Sequence, residues 1–167
     1  MSILHSVLSR FSLNLAAYAG DEPLMQAVVS ASANVIVADG EMSGEEFETA
    51  LAGMRAHPIL EKGYDLLMLE DALYEAIGRA RTRAGRIENL RRVTSLVGRP
   101  IEQRQDVFLL AADVADQDGI ADIEERALGE IAGALAIDKV ALLRVAQALP
   151  VPSDPVTGDG PVHLGRG

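Results

Sequence analysis

Two short acidic stretches hold the residues best suited to chemistry. Asp39-Gly40-Glu41 and Asp116-Gln117-Asp118-Gly119 each interrupt an apolar run, and each is followed by a glutamate pair, Glu45-Glu46 and Glu124-Glu125. Asp39 and Asp118 lie 79 residues apart, and the step from that Asp to the second Glu is seven residues in both stretches. The recurrence reads as a duplicated helix–acidic turn–helix unit. Its donors are carboxylate and carbonyl oxygens, hard ligands that suit Ca²⁺ first, with Mg²⁺ also admitted, rather than zinc or copper. The Gly after each Asp permits a sharp turn on which such oxygens converge. An Asp at a helix C-terminus faces the negative end of the macrodipole and the orphan carbonyls, an unfavourable placement that a cation would relieve. Asp39, Gly40, Met42 and Glu46 match the second half of an EF-hand loop, as do Asp116, Asp118, Gly119 and Glu125 with Ala121 in the apolar place. Val35 and Val114 stand where the loop's first Asp belongs, so neither stretch supports an autonomous EF-hand.

Helix capping accounts for part of the same pattern. Ser43 with Glu46, and Asp122 with Glu125, have capping-box spacing, and Asp39 and Asp118 are ordinary turn residues. Capping leaves Glu41, Glu45, Asp116 and Glu124 unexplained, along with the recurrence of so much negative charge. For Glu46 and Glu125 both readings, cap and ligand, stay open.

The elements that must position these turns are helical throughout, with no strand pattern. A stripe of Ile3, Leu4, Val7, Leu8, Phe11 and Leu15 marks residues 2–18 as an amphipathic helix covering the core. Its polar face carries only His5 and Arg10, too little positive charge for an anionic membrane surface. Asp21-Glu22-Pro23 opens the helix that leads into the first acidic turn. Its apolar residues Leu24, Val28, Ala31 and Val35 widen to Val35-Ile36-Val37-Ala38, which makes it the central element. Phe47, Ala50, Leu51 and Met54 mark the next helix, ended by Pro58. Between the two units, Leu66, Leu69, Leu73, Ile77 and Ala80 form one helix and Ile87, Leu90, Val93 and Val97 another, with Gly85 as the break. Pro100 opens the second unit. Val107, Leu110, Ala111 and Val114 lead to the second turn, with Asp122 as N-cap of the helix beyond and Asp138 as cap of a last helix through Leu142, Val145 and Leu149. Residues 1–149 thus form one helical domain, and residues 150–167, rich in Pro and Gly without apolar periodicity, a disordered tail.

Composition narrows the function. Hydrophobic residues are 49% of the chain but aromatics only 4%, so a core of Ala, Leu, Val and Ile is expected. The absence of cysteine excludes disulfides, thiolate zinc sites and thiol redox chemistry. A net charge of −10 disfavours nucleic acid and favours cations or a basic partner. The longest run without a charge, Pro23 to Ala38, is shorter than the ~20 residues a membrane span needs. Ala17-Tyr18-Ala19 has the form of a signal-cleavage site, but no basic residue precedes Ile3 and Ser12 and Asn14 interrupt the apolar stretch, so export is not expected. Eight arginines between Arg79 and Arg104 (Arg79, Arg81, Arg83, Arg86, Arg91, Arg92, Arg99 and Arg104) read as solvated helix faces pairing with the acidic remainder. His5, His57 and His163 show no metal-ligand spacing and read as surface or boundary residues. No nucleophile–base pairing, Glu-x-x-His di-metal motif or phosphate-cradling loop occurs, so an enzyme is not expected.

The segments from Val37 to Glu46 and from Ala115 through Gly119 to Glu124-Glu125-Arg126-Ala127-Leu128-Gly129-Glu130-Ile131-Ala132 resemble the tellurite-resistance TerB family, and the match spans about Leu24 to Leu143. The resemblance implies a compact all-α bundle of about seven to eight helices in which the two halves bring their acidic turns together. It implies a non-enzymatic stress-response protein that binds divalent cations. It also implies partnership with other Ter-type proteins, including a membrane-embedded TerC type, at the cytoplasmic face of the inner membrane. Carried over residue by residue, the cation site would use Asp39 and Glu46, with Asp116, Asp118 and Glu124 or Glu125. Counting back from Ala127-Leu128 matches Glu124, and Ala121 departs from the family's larger apolar residue. The alternative is a metal-independent helical scaffold whose acidic face docks a basic or membrane-associated partner.

Overall fold

Helix α1 (Glu22–Ile36) begins where the sequence places a start: Asp21 accepts the Leu24 N–H at 3.3 Å, and Pro23 occupies the first turn, where its missing N–H costs nothing. From Leu24 to Ile36 every residue except Gln26 is buried, which only a helix enclosed by others can sustain. The computed structural model describes residues 20–115 and 121–148. The expected helix over 2–18, the second acidic turn with Asp116 and Asp118, and the tail over 150–167 lie outside them.

Seven more helices follow: α2 (Gly44–Ala56), α3 (Pro58–Gly63), α4 (Leu66–Ala80), α5 (Arg83–Thr94), α6 (Ile101–Ala115), α7 (Asp122–Leu135) and α8 (Lys139–Ala148). The architecture is therefore the expected all-α bundle, with no strand among the described residues. Helices α4, α5 and α6 pack around α1; α2 lies against α6, and α7 against α5 and α6. The core is aliphatic apart from Phe47 and Phe108, and Phe108 is fully buried although it lies off the expected α6 stripe. No described helix is long and apolar enough to cross a membrane.

Polar residues tie α1, α4 and α5 together inside this core. Asn89 is fully buried, and its amide donates to Asn34 Oδ1 at 2.9 Å and to the Ala76 carbonyl at 3.0 Å. Its Oδ1 accepts from Arg79 Nε at 2.8 Å, and the Asn34 amide donates to the Arg86 carbonyl at 3.2 Å. Burying an amide is unfavourable unless its hydrogen bonds are replaced, and here three elements replace them.

Several expectations change. Ile87 and Val97 are exposed, and α5 buries Asn89, Val93 and, just beyond its end, Leu96. The break before α5 falls at Arg81-Thr82, with the Thr82 hydroxyl accepting the Gly85 N–H at 3.0 Å. Gly85 sits in the first turn because a side chain there would collide with the Arg79 carbonyl. Pro58 ends α2 but also opens α3, and the buried His57 between them accepts the Ile59 N–H on Nδ1 while Nε2 lies 3.5 Å from Asp106 of α6. The arginines are largely structural. Arg99 grips Asp21 through two hydrogen bonds of 2.6 and 2.9 Å, and Arg104 donates to the Leu135 and Ala136 carbonyls at the end of α7. Ala136 there adopts a left-handed conformation at φ +52°, so its carbonyl is turned out of the helix and the guanidinium receives it.

The hydrogen bonds from Arg99 hold the Asp21 carboxyl below the usual carboxylate range, against a smaller upward push from burial. A lowered folded-state pKa stabilises above the unfolded value and is lost as pH falls through the folded one. Asp21→Asn should therefore flatten the acid limb of the pH–stability curve, read by thermal melts between neutral and acidic pH. For the amide network, Asn89→Ala should lower stability by about 3 kcal/mol, since each stranded partner costs about 1–3 kcal/mol. The exposed control Thr94→Ala should stay within about 0.5 kcal/mol in the same urea titrations.

Candidate metal centre

The first acidic turn is built by local hydrogen bonding. Helix α1 closes with the Ala38 N–H on the Val35 carbonyl and the Gly40 N–H on the Val37 carbonyl. Gly40 then takes φ +86°, a conformation a side chain would resist. Asp39 Oδ1 accepts the Glu41 N–H at 2.9 Å, an Asx turn that fixes the carboxylate above the helix end. Met42 is exposed, unlike the buried apolar residue of an EF-hand loop.

Helix α2 starts with the capping box read from the sequence: Ser43 Oγ accepts the Glu46 N–H at 3.1 Å, and Glu46 Oε2 accepts the Ser43 N–H at 3.4 Å. In α7 the N-cap is Ala121, not the expected Asp122, which is the first helical residue. Alanine offers no side-chain acceptor, so only the returning half of the box forms. Its donor is the Ala121 N–H, and its acceptor is Glu124 Oε2 at 2.9 Å. Glu124 is thus the counterpart of Glu46, and it is buried, at 8% exposure. The equal seven-residue spacing hid that the glutamate in the role of Glu46 stands six residues after Asp118, not seven. Glu125 turns the other way, with a side chain 64% exposed and an ion pair of 3.5 Å to Lys139 of α8.

The two halves meet electrostatically. The Glu46 carboxyl is held above the usual carboxylate range, first by burial and then by repulsion from Asp39 and Glu124, against the opposing hydrogen bonds to Ser43. Ala38, just past α1, and Ile123, Arg126 and Ala127 of α7 line one groove together with Arg86, so the α1–α2 turn and the start of α7 adjoin at one end of the bundle. Glu45 and Glu41 are exposed on the same turn.

Of the six residues with metal-ligand chemistry, the fold brings Asp39 and Glu124 each within electrostatic reach of Glu46 and turns Glu125 toward Lys139. Asp116 and Asp118 lie in the second acidic stretch, outside the described residues. Among the described residues no three Asp, Glu or His side chains stand close enough together to hold an ion, so a cation site here requires donors from the second turn. Comparison with protein-family models, curated proteins and solved structures finds no match, so the likeness to TerB proteins rests on the acidic segments themselves.

A raised Glu46 pKa means that the folded protein holds this proton more readily than the unfolded chain does. The contribution is present below the unfolded value and is lost as pH rises through the folded one. In a ¹³C-carboxyl NMR titration without divalent metal, Glu46 should titrate above ordinary glutamates. Asp39→Asn or Glu124→Gln should each move its midpoint down. A midpoint unmoved by both would mean that the carboxylates are not coupled.

Proposed function

We propose that this protein is a non-enzymatic, cation-binding interaction module of the TerB type. The observation that carries the reading is that Ala38, just past α1, and Ile123 and Arg126, at the start of α7, line one groove, so the stretches bearing Asp39 and Glu124 adjoin at one end of the bundle. Like charges gathered there destabilise one another, and a divalent cation drawn to them would remove that repulsion. The oxygen-only donor set favours Ca²⁺, with Mg²⁺ admitted. Asp39, Glu46 and Glu124 would supply one wall of the site and Asp116 and Asp118 the other. Glu125, paired with Lys139, contributes least. Cation binding would then connect the helix ends of both halves and prepare that face for other Ter-type partners, including a TerC-type membrane protein at the cytoplasmic face of the inner membrane, in tellurite resistance or a related stress response.

One observation favours the metal-independent scaffold as the second reading. Glu46 and Glu124 both already accept a backbone N–H, so each has a structural role without an ion. On that reading the acidic end docks a basic or membrane-associated partner directly.

Titration of the chelator-treated full chain with Ca²⁺, followed by ¹⁵N NMR, separates the two. The cation reading expects the amides of Asp39–Glu46 and Ala121–Glu125 to shift together, with dissociation constants no weaker than about millimolar. Asp39→Asn should weaken binding tenfold or more, which corresponds to about 1.4 kcal/mol. The absence of any response to Ca²⁺ or Mg²⁺ at about ten times that concentration would overturn it and leave the scaffold.

A further inference from the structure

The start of α4 exposes three consecutive large apolar residues, Leu66, Leu67 and Met68, with Leu67 at 65% exposure and Met68 at 51%. Three adjacent residues of this kind on a helix's first turn are not a scattering of single apolar side chains. Leu66 also borders an open groove of about 500 Å³, floored by Ala52 and Ala56 of α2 and flanked by Arg55, Glu61 and Tyr64. Nothing among the described residues covers this surface.

The described chain begins beside it. Gly20 packs against the Tyr64 ring, and the Gly63 and Gly20 backbones approach so closely that a side chain on either residue would collide with the other strand of chain. Tyr64 is two residues from Leu66. The 19 residues before Gly20 are thereby delivered to the edge of the exposed patch.

Length and charge fit as well. The stripe from Ile3 to Leu15 would make a helix of about 20 Å, close to the length of the 15-residue α4. The four residues from Ala16 to Ala19 can reach up to about 13 Å, enough for the helix to turn back. Residues 1–19 contain no Asp or Glu and carry His5 and Arg10, whereas Glu61 and Asp65 outnumber Arg55 in the groove beside Leu66, and Glu70 and Asp71 occupy the next turn of α4. Tethering gives the segment an effective concentration of order millimolar, far above that of a second molecule in dilute solution.

We propose that residues 3–15 dock as an amphipathic helix on the Leu66–Met68 patch and the adjoining α2–α4 groove, with the Gly20–Gly63 contact as the pivot. The apolar stripe covers Leu66 and Leu67, and Arg10 faces the acidic border. The segment thus covers the exposed start of α4.

The chain has no cysteine, so a pair can be introduced without background. Leu8→Cys or Phe11→Cys, each combined with Leu67→Cys in the full chain, is treated with a short bismaleimide at low protein concentration. Leu8→Cys and Phe11→Cys, each combined with Val140→Cys on α8, serve as controls at an equally exposed position. Docking expects an intramolecular cross-link in at least one Leu67 pair, at least tenfold more abundant than in its control. Equal cross-linking of both partners, or none in either Leu67 pair, overturns the proposal. Cross-linked dimers in place of monomers would assign the patch to a second copy. Flotation of the unmodified chain with anionic vesicles, with residues 3–15 protected from hydrogen exchange only when vesicles are present, would assign the segment to lipid. Either result also overturns it. None of these outcomes depends on the acidic turns binding metal.

Discussion

A helix buried on every side can meet solvent only at its ends, and that constraint governs this bundle. Thirteen consecutive positions of α1 from Leu24 onward admit one partly exposed residue, Gln26, so lateral surface is closed to any functional group on this element. What α1 can offer lies past Ile36, where the Asx turn at Asp39 breaks out of the core. The start of α7 lies at the same end, where Ile123 and Arg126 share a groove with Ala38, and Glu124 is among the charges that raise the Glu46 carboxyl pKa.

Holding such an arrangement requires interactions stronger than the repulsion it contains. Asn89 joins α1, α4 and α5 in a place where a misregistered helix would strand several polar groups at once, each costing about 1–3 kcal/mol. Apolar packing alone tolerates sliding far better, since Leu, Val and Ala substitute for one another with modest loss. Arg99 fixes the start of α1 through Asp21, and Arg104 closes the end of α7. Both contacts lie at the ends of α1 and α7 opposite the acidic residues, while Arg86 and Arg126 border the groove between Ala38 and Ile123.

Sequence reasoning reached the fold because helical periodicity, caps and prolines agreed with one another. The Asp21 cap, the Ser43–Glu46 box and the Asp138 cap stand where their spacing places them. It failed where burial involved polar or small residues. Asn89 carried no hydrophobic signal, so the α5 stripe was drawn through Ile87 and Val97, which face solvent. His57, read as a surface or boundary residue, is buried at a helix junction. The cap of α7 was misplaced for a related reason: Asp122 looks like a better cap than Ala121, yet the N-cap is set by backbone geometry, and Glu124 supplies the returning hydrogen bond. The family resemblance, counted back from Ala127-Leu128, pointed to the same glutamate.

The account stands on the charges of Glu46 and Glu124, from the two halves of the chain, acting on each other. A double-mutant cycle measures this most directly, with Glu46→Gln and Glu124→Gln singly and together in chelator-treated protein, unfolded by urea near neutral pH. Glutamine keeps the oxygen that accepts the cap hydrogen bond, so the cycle isolates the charge. The two neutralisations should be coupled, with the second one stabilising less than it does alone, because the repulsion has already been removed. Effects that add within about 0.3–0.5 kcal/mol would show two independent caps and contradict a shared acidic centre.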